Sequence, residues 1–171
     1  MAGFKYQDEN KQYYFDFTKA VWSTDQLTGK YTSKIHAVLN SVDFIAETDT
    51  EIVFVEYKNT DVINVVNPGA FVAKLVSDEH YQSIARKFYG SLIYILGCQK
   101  SKKYKYVYVL ECNLADSVTR KSLRNKISRK LPFDLQNEPE IKTELINDFE
   151  ILSIAEWNSN PAYSSFLISR V

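Results

Sequence analysis

The sequence predicts an α/β fold, a central mixed β-sheet flanked by helices. Three observations carry that expectation. Stretches with strand character and stretches with a 3.6-residue period follow one another as helix, hairpin, helix, strand, helix, strand. One of the strands, KYKYVYVLEC at 103–112, becomes wholly apolar, as a central strand does. The chain has 171 residues, enough for one sizeable core, and only 5 Gly and 4 Pro, which argues against long disordered tracts. A single domain over 1–171 follows.

The elements read in order as follows. QYYFDF (12–17) is aromatic and partly alternating, a short strand. In YTSKIHAVL, Tyr31, Ile35, Val38 and Leu39 fall on one face of a helix. SVDFIAE (41–47) and EIVFVEYKN (51–59) are strands joined by the turn TDT at 48–50, hence a hairpin. DVINVV (61–66) is a further β-branched run, and NPG (67–69) breaks the chain. SDEHYQSIARKFYGSLIYILG is a helix capped by Ser77. Its stripe runs through Tyr81, Ile84, Ala85, Phe88, Leu92, Ile95 and Leu96, and Gly97 is its expected stop. A basic helix spans 116–131, with Val118, Leu123 and Ile127 as a thin apolar stripe and Pro132 at its end. A strand near 149–157 follows an acidic region, and the tail YSSFLISRV reads as strand or helix.

Composition excludes little. With 12 Tyr and 10 Phe the core should be largely aromatic. Lys and Arg balance Asp and Glu at 21 each, so net charge argues neither for nor against a nucleic-acid partner. Cys98 and Cys112 form no Cys-x-x-Cys pair and read as reduced thiols. MAGFKYQDENKQ lacks the apolar core of a signal peptide, and SLIYILGC is too short to cross a bilayer. A cytoplasmic protein with no membrane partner is expected.

The chemistry concentrates at the end of EIVFVEYKN. Alternate side chains of a strand share a face, so Glu56 and Lys58 project together and Tyr57 points the other way. If the hairpin closes on Asp49-Thr50, Thr48 faces Glu51 and Asp43 lies opposite Glu56. Cross-strand pairs hold their Cβ atoms roughly 5 Å apart. A slip of one residue would send Asp43 to the other face. Two carboxylates that close favour a hard cation between them, Mg²⁺ or Mn²⁺, and the Tyr57 carbonyl is a further ligand candidate. Such an ion acidifies its water and neutralises developing phosphate charge, while Lys58 orients that water or stabilises the transition state.

An Asp on one strand, a short hairpin and an apolar strand ending in Glu-x-Lys resemble the PD-(D/E)xK nuclease superfamily, of restriction-endonuclease-like fold. The matching residues are Asp43, Glu56 and Lys58, and the resemblance covers roughly 30–112, leaving a C-terminal helix-strand extension. It implies that Asp43 and Glu56 bind Mg²⁺, that Lys58 assists the attacking water, and that the substrate is nucleic acid, in most members DNA. Many such nucleases dimerise to cut both strands, so a homodimer stays open. The chain departs from the pattern in two respects: no Pro precedes Asp43, a Pro that many members also lack, and many members place a Glu on the helix before the Asp strand, whereas no Glu lies between Glu9 and Glu47. Asp25 and His36 are the only nearby substitutes, and neither fits. Some members add a Gln or Lys from the next helix, for which Gln82, Arg86 and Lys87 are candidates. The alternative is a catalytically inactive module on the same fold that binds nucleic acid or a protein partner. An ordinary ion pair at a strand end, worth about 0–1 kcal/mol, would also place Glu and Lys there.

Residues 99–130 hold ten basic residues against Glu111 and Asp116. Lys121, Arg124 and Arg129 on the basic helix are phosphate-contact candidates, although a solvated helix face reads almost as well. The later acidic residues are placed to neutralise part of this patch. His36 and His80, with no third His, make no His-rich zinc site. Tyr104, Tyr106 and Tyr108 share one strand face; packing beneath a helix explains them better than base stacking. Trp22 and Trp157 read as core residues. No Gly-rich phosphate loop and no Gly-x-Ser-x-Gly elbow occurs.

Overall fold

The computed structural model describes residues 3–61 and 67–171, so the run at 61–66 lies outside the described residues apart from Asp61. In chain order the strands are β1 (Lys5–Gln7), β2 (Tyr13–Asp16), β3 (Trp22–Thr24), β4 (Phe44–Glu47), β5 (Glu51–Asn59), β6 (Lys103–Glu111), β7 (Asp148–Leu152) and β8 (Ile168–Arg170). The helices are α1 (Leu27–Ile35), α2 (Pro68–Leu75), α3 (Asp78–Gly97), α4 (Ser117–Ser128) and α5 (Ile154–Ser159). A five-stranded sheet in the order β3-β4-β5-β6-β7 forms the centre. It is mixed, antiparallel through β3, β4 and β5 and parallel through β5, β6 and β7. The α/β expectation holds, and β6 is central as its apolar run implied.

The two faces of this sheet are covered differently. On one, Ile52 and Phe54 of β5 and Tyr104, Tyr106 and Tyr108 of β6 pack against α3 and α4. The three tyrosines are buried there, the Tyr106 hydroxyl donating to the Ile84 carbonyl at 2.9 Å and the Tyr108 hydroxyl lying 3.2 Å from His80 Nε2. On the other face, Val53, Val55, Tyr57, Val107 and Val109 meet a separate antiparallel sheet, β1-β2-β8, together with Trp157 of α5. Helices α3 and α4 therefore cover one face, while the small sheet and the short helix α5 cover the other. The second sheet escapes sequence reading because β1 and β8 have only three residues each, too few for a period to register.

Local chemistry explains most element ends. Ser77 accepts from His80 N–H to start α3, and Asp116 accepts from Thr119 N–H to start α4. NPG does not simply break the chain: the Asn67 side chain accepts from Ala70 N–H and Pro68 occupies the first turn, so the motif opens α2. Helix α3 does end at Gly97, but the left-handed residue that closes it is Gln99 (φ 56°). Its N–H reaches the Leu96 carbonyl and that of Lys100 the Ile95 carbonyl, a Schellman pair. In α4 only Leu123 and Ile127 are buried, and Val118 faces water. The strand expected over 149–157 is β7, followed at once by α5 because Ser153 and Glu156 form a capping box.

The helix expected to run through Val38 and Leu39 stops at Ile35, where His36 and Ala37 turn left-handed at φ 52° and 55°. Val38 is left exposed. The turn carries residues 40–42 beneath α3, where they are held by two contacts. The buried Ser91 hydroxyl accepts from Val42 N–H at 2.9 Å. Gly90 lets the Asn40 carbonyl approach so closely that a Cβ there would stand 1.9 Å from its oxygen. Gly90→Ala should cost about 1–3 kcal/mol by overpacking, read as a lower melting temperature, and should also displace Asp43, three residues on.

Candidate functional site

Strand β5 is buried from Ile52 to Tyr57, and it carries Glu56 inside with only 4% exposure. The hairpin closes on the expected turn: Thr48 Oγ1 accepts from Glu51 N–H at 2.9 Å. The register pairs Phe44 with Val55 and Glu47 with Ile52, so Asp43 falls opposite Glu56 as the sequence implied. Asp43 stands one residue before β4 rather than within it. There its Oδ2 accepts from Tyr57 N–H at 2.8 Å, replacing the ladder bond that β4 no longer supplies. The Tyr57 carbonyl opens on the same edge of β5, since both groups of one residue point to one side of a strand.

Glu56 faces α3. Its Oε1 accepts from the Lys87 ammonium in an ion pair, while its buried Oε2 has no hydrogen-bond partner. Burial pushes the Glu56 carboxyl up to about 8, the Asp43 charge adds to this, and Lys87 opposes it. Asp43 is also raised, by burial first, with Lys87 pulling it back. Burial disfavours the Lys87 ammonium, but Glu56 and Asp43 outweigh that and lift it above its usual range. His80, at the start of α3, is pushed down to about 4 by burial and by Lys58, Lys74 and Lys87, so it is neutral at pH 7.

The predicted residues divide clearly. Asp43 and Glu56 come together. Lys58 shares Glu56's face, but its side chain is exposed and its ammonium lies 5.9 Å over the Phe71 ring of α2; among the described residues it pairs with neither carboxylate, although its charge lowers both. Among the three α3 candidates, Lys87 is the one at the site. Gln82 instead donates to Asp78 at 2.7 Å and accepts from Arg86 at 3.0 Å on the outer face of the helix. A signal for Lys87 was present, because it shares its face with the buried Ile84 and Ser91, where a lysine is out of place.

Glu9 was missed. It sits in the β1–β2 turn, exposed, and lines two cavities of about 180 and 380 Å³ that Asp43 also lines. Its charge raises Asp43 and supports the charge of Lys87. The turn is held by the buried Asp8 carboxylate, which accepts from the backbone N–H groups of Asn10, Gln12 and Tyr13. No sequence signal links Glu9 to Asp43; only the packing of the small sheet on the large one does. Asp25 lines the smaller cavity with them, whereas His36 serves as the left-handed cap of α1.

Among the described residues no three His, Cys, Asp or Glu stand close enough to hold a metal by themselves. The donors present still suit a hard cation: the orphaned Glu56 Oε2, the Asp43 carboxylate and the outward Tyr57 carbonyl, with water completing the shell.

The basic stretch is largely spent within the molecule. Lys100 and Lys102 pair with Glu47, Lys105 with Asp148 and Glu150, and Lys130 with Asp78. Arg120 donates to the Ala115 and Leu110 carbonyls. Arg124 donates to the Phe149 carbonyl at 2.9 Å and lies 3.8 Å from Asp148, tying α4 to β7. Lys121 and Arg129 remain exposed and form no ion pair among the described residues. No helix among the described residues is long and apolar enough to cross a membrane. Compared with protein-family models, curated proteins and solved structures, the chain matches none.

Proposed function

We propose that the protein is a metal-dependent nuclease that hydrolyses phosphodiester bonds, with DNA the expected substrate. One observation carries the reading: the β4–β5 register sets Asp43 against a buried Glu56 that has one carboxylate oxygen unpartnered. The resemblance to PD-(D/E)xK nucleases rests on these residues and Lys58. When bound, Mg²⁺ or Mn²⁺ would acidify a water and neutralise phosphate charge. Asp43, Glu56 and the Tyr57 carbonyl would hold the ion. Tyr57 N–H fixes the Asp43 carboxylate in place. Lys58, exposed at the cavity mouth and in no ion pair among the described residues, would meet the phosphate. Lys87 opposes the burial that disfavours the Glu56 charge, and a bound cation would add to that opposition.

Cleavage of supercoiled and single-stranded DNA with Mg²⁺ or Mn²⁺ tests this. Asp43→Asn, Glu56→Gln and Lys58→Met should each lower the rate by at least about 100-fold with the fold intact. Undiminished cleavage by all three ends the proposal. The inactive-module alternative draws on the Lys87–Glu56 pair, which already neutralises the carboxylate a cation would use. Calorimetric titration of the wild type with Mn²⁺ separates the two, since an inactive module takes up no ion.

A further inference from the structure

A second groove, of about 530 Å³, plays no part in the site just described. It is walled by Phe4, Tyr6, Trp22 and Tyr94, with Lys5 and Lys30 beside them. Asp25 is the one carboxylate in its lining, and Asp25 also lines the smaller Asp43 cavity, so the two openings adjoin. Phe4 is 55% exposed, with its ring centroid 6.3 Å from that of Tyr6. Lys30 Nζ lies 5.2 Å over the Tyr94 ring and 3.0 Å from its hydroxyl, whereas the Lys100 ammonium over Trp22 is paired with Glu47. The Lys30 head therefore sits at the rim of a ring face. Among the described residues neither Lys5 nor Lys30 pairs with a carboxylate.

We propose that this groove binds an unpaired nucleic-acid strand and delivers it to the Asp43 cavity. The destination of the strand rests on the nuclease reading; the binding does not. Rings that alternate with ammonium groups suit this ligand, because every base offers a face to stack on and every linkage a phosphate to neutralise. A duplex keeps its base faces stacked inside and cannot use the rings. The substrate class is thus DNA or RNA with a single-stranded segment. The stacking surface is this groove, not the Tyr104, Tyr106 and Tyr108 face, which α3 buries.

The molecule carries its own reporter. Of its 2 tryptophans, Trp22 lines the groove, while Trp157 is fully buried against Tyr163. With EDTA present, a labelled oligothymidylate of about a dozen nucleotides is titrated against the full chain, following tryptophan emission and oligonucleotide anisotropy. Binding should quench Trp22, and the matching duplex should bind at least about tenfold more weakly. The surface variants Lys30→Glu and Phe4→Ala should each weaken single-strand binding about tenfold at an unchanged melting temperature. Equal binding of duplex, or no effect of either variant, overturns the proposal; a groove built for a protein partner gives neither quenching nor a variant effect and overturns it equally. Binding without any metal-dependent cleavage would sustain the groove and reject the nuclease. Cleavage with indifferent groove variants would do the reverse.

Discussion

Glu56→Gln should raise the melting temperature of the metal-free protein at pH 9 and, on the proposed nuclease reading, should remove metal-dependent cleavage. In the fold the Glu56 carboxyl titrates near 8, above its ordinary 4.5, chiefly because it is buried and secondarily because Asp43 faces it. A group with a raised folded pKa stabilises fully below its unfolded value and loses that contribution as pH rises through the folded one. The stability tied to Glu56 therefore declines from about pH 4.5 to pH 8, and above that the fold carries a buried charge. Gln keeps the shape and removes the charge. The value near 8 already includes the Lys87 pairing, so the gain is on the order of a few kcal/mol, or roughly 5–15 °C for a chain of this size. At pH 5, where the wild-type carboxyl is already protonated, the two proteins should melt together. Thermal melts at both pH values check this; a Gln variant less stable than wild type at pH 9 refutes it.

Lys87→Met has the opposite effect on the apo protein. It strips the counter-charge from Glu56 and leaves Asp43 and Glu56 facing each other. Breaking a buried pair by removing one partner costs about 3–5 kcal/mol. The loss should be largest at alkaline pH and should shrink below about pH 8 as Glu56 protonates. Mn²⁺ should then raise the melting temperature of Lys87→Met more than that of wild type, because the ion replaces the missing cation. Melts with and without Mn²⁺ measure both. A variant as stable as wild type at pH 9 would show that the ion pair contributes nothing, and a smaller Mn²⁺ shift would show that Lys87 does not stand where a cation binds.

The parts of the site legible in the sequence are those that local rules govern. The register of a hairpin depends on its turn, and the Thr48-Asp49-Thr50 turn is closed by Thr48's own hydroxyl. Asp43 and Glu56 could therefore be paired by counting. The same holds for the starts of α3 and α4, where Ser77 and Asp116 bond backbone groups three residues away. Reading fell short where several options satisfied the local rule equally. Gln82, Arg86 and Lys87 all lie within one stretch of α3; the face Lys87 shares with Ile84 and Ser91 points it inward, but only the seating of that helix on β5 brings it to Glu56. Asp148 and Glu150 neutralise part of the basic stretch as the acidic region implied, whereas Glu47 and Asp78, distant in sequence, left no such sign.

By itself the sequence determined the α/β class, the central strand, the hairpin register and the pairing of two carboxylates at its end. Each follows from periods and hydrogen bonds spanning a few residues. Tertiary structure alone decided the rest. It packed a second sheet on the bare face, brought Glu9 to the Asp43 cavity, chose Lys87 over Lys58 as the partner of Glu56, and joined Phe4, Tyr6, Trp22 and Tyr94 into one groove. These are contacts between residues tens of positions apart. They are selected by which apolar faces bury each other, and that choice leaves no mark on any short stretch of chain.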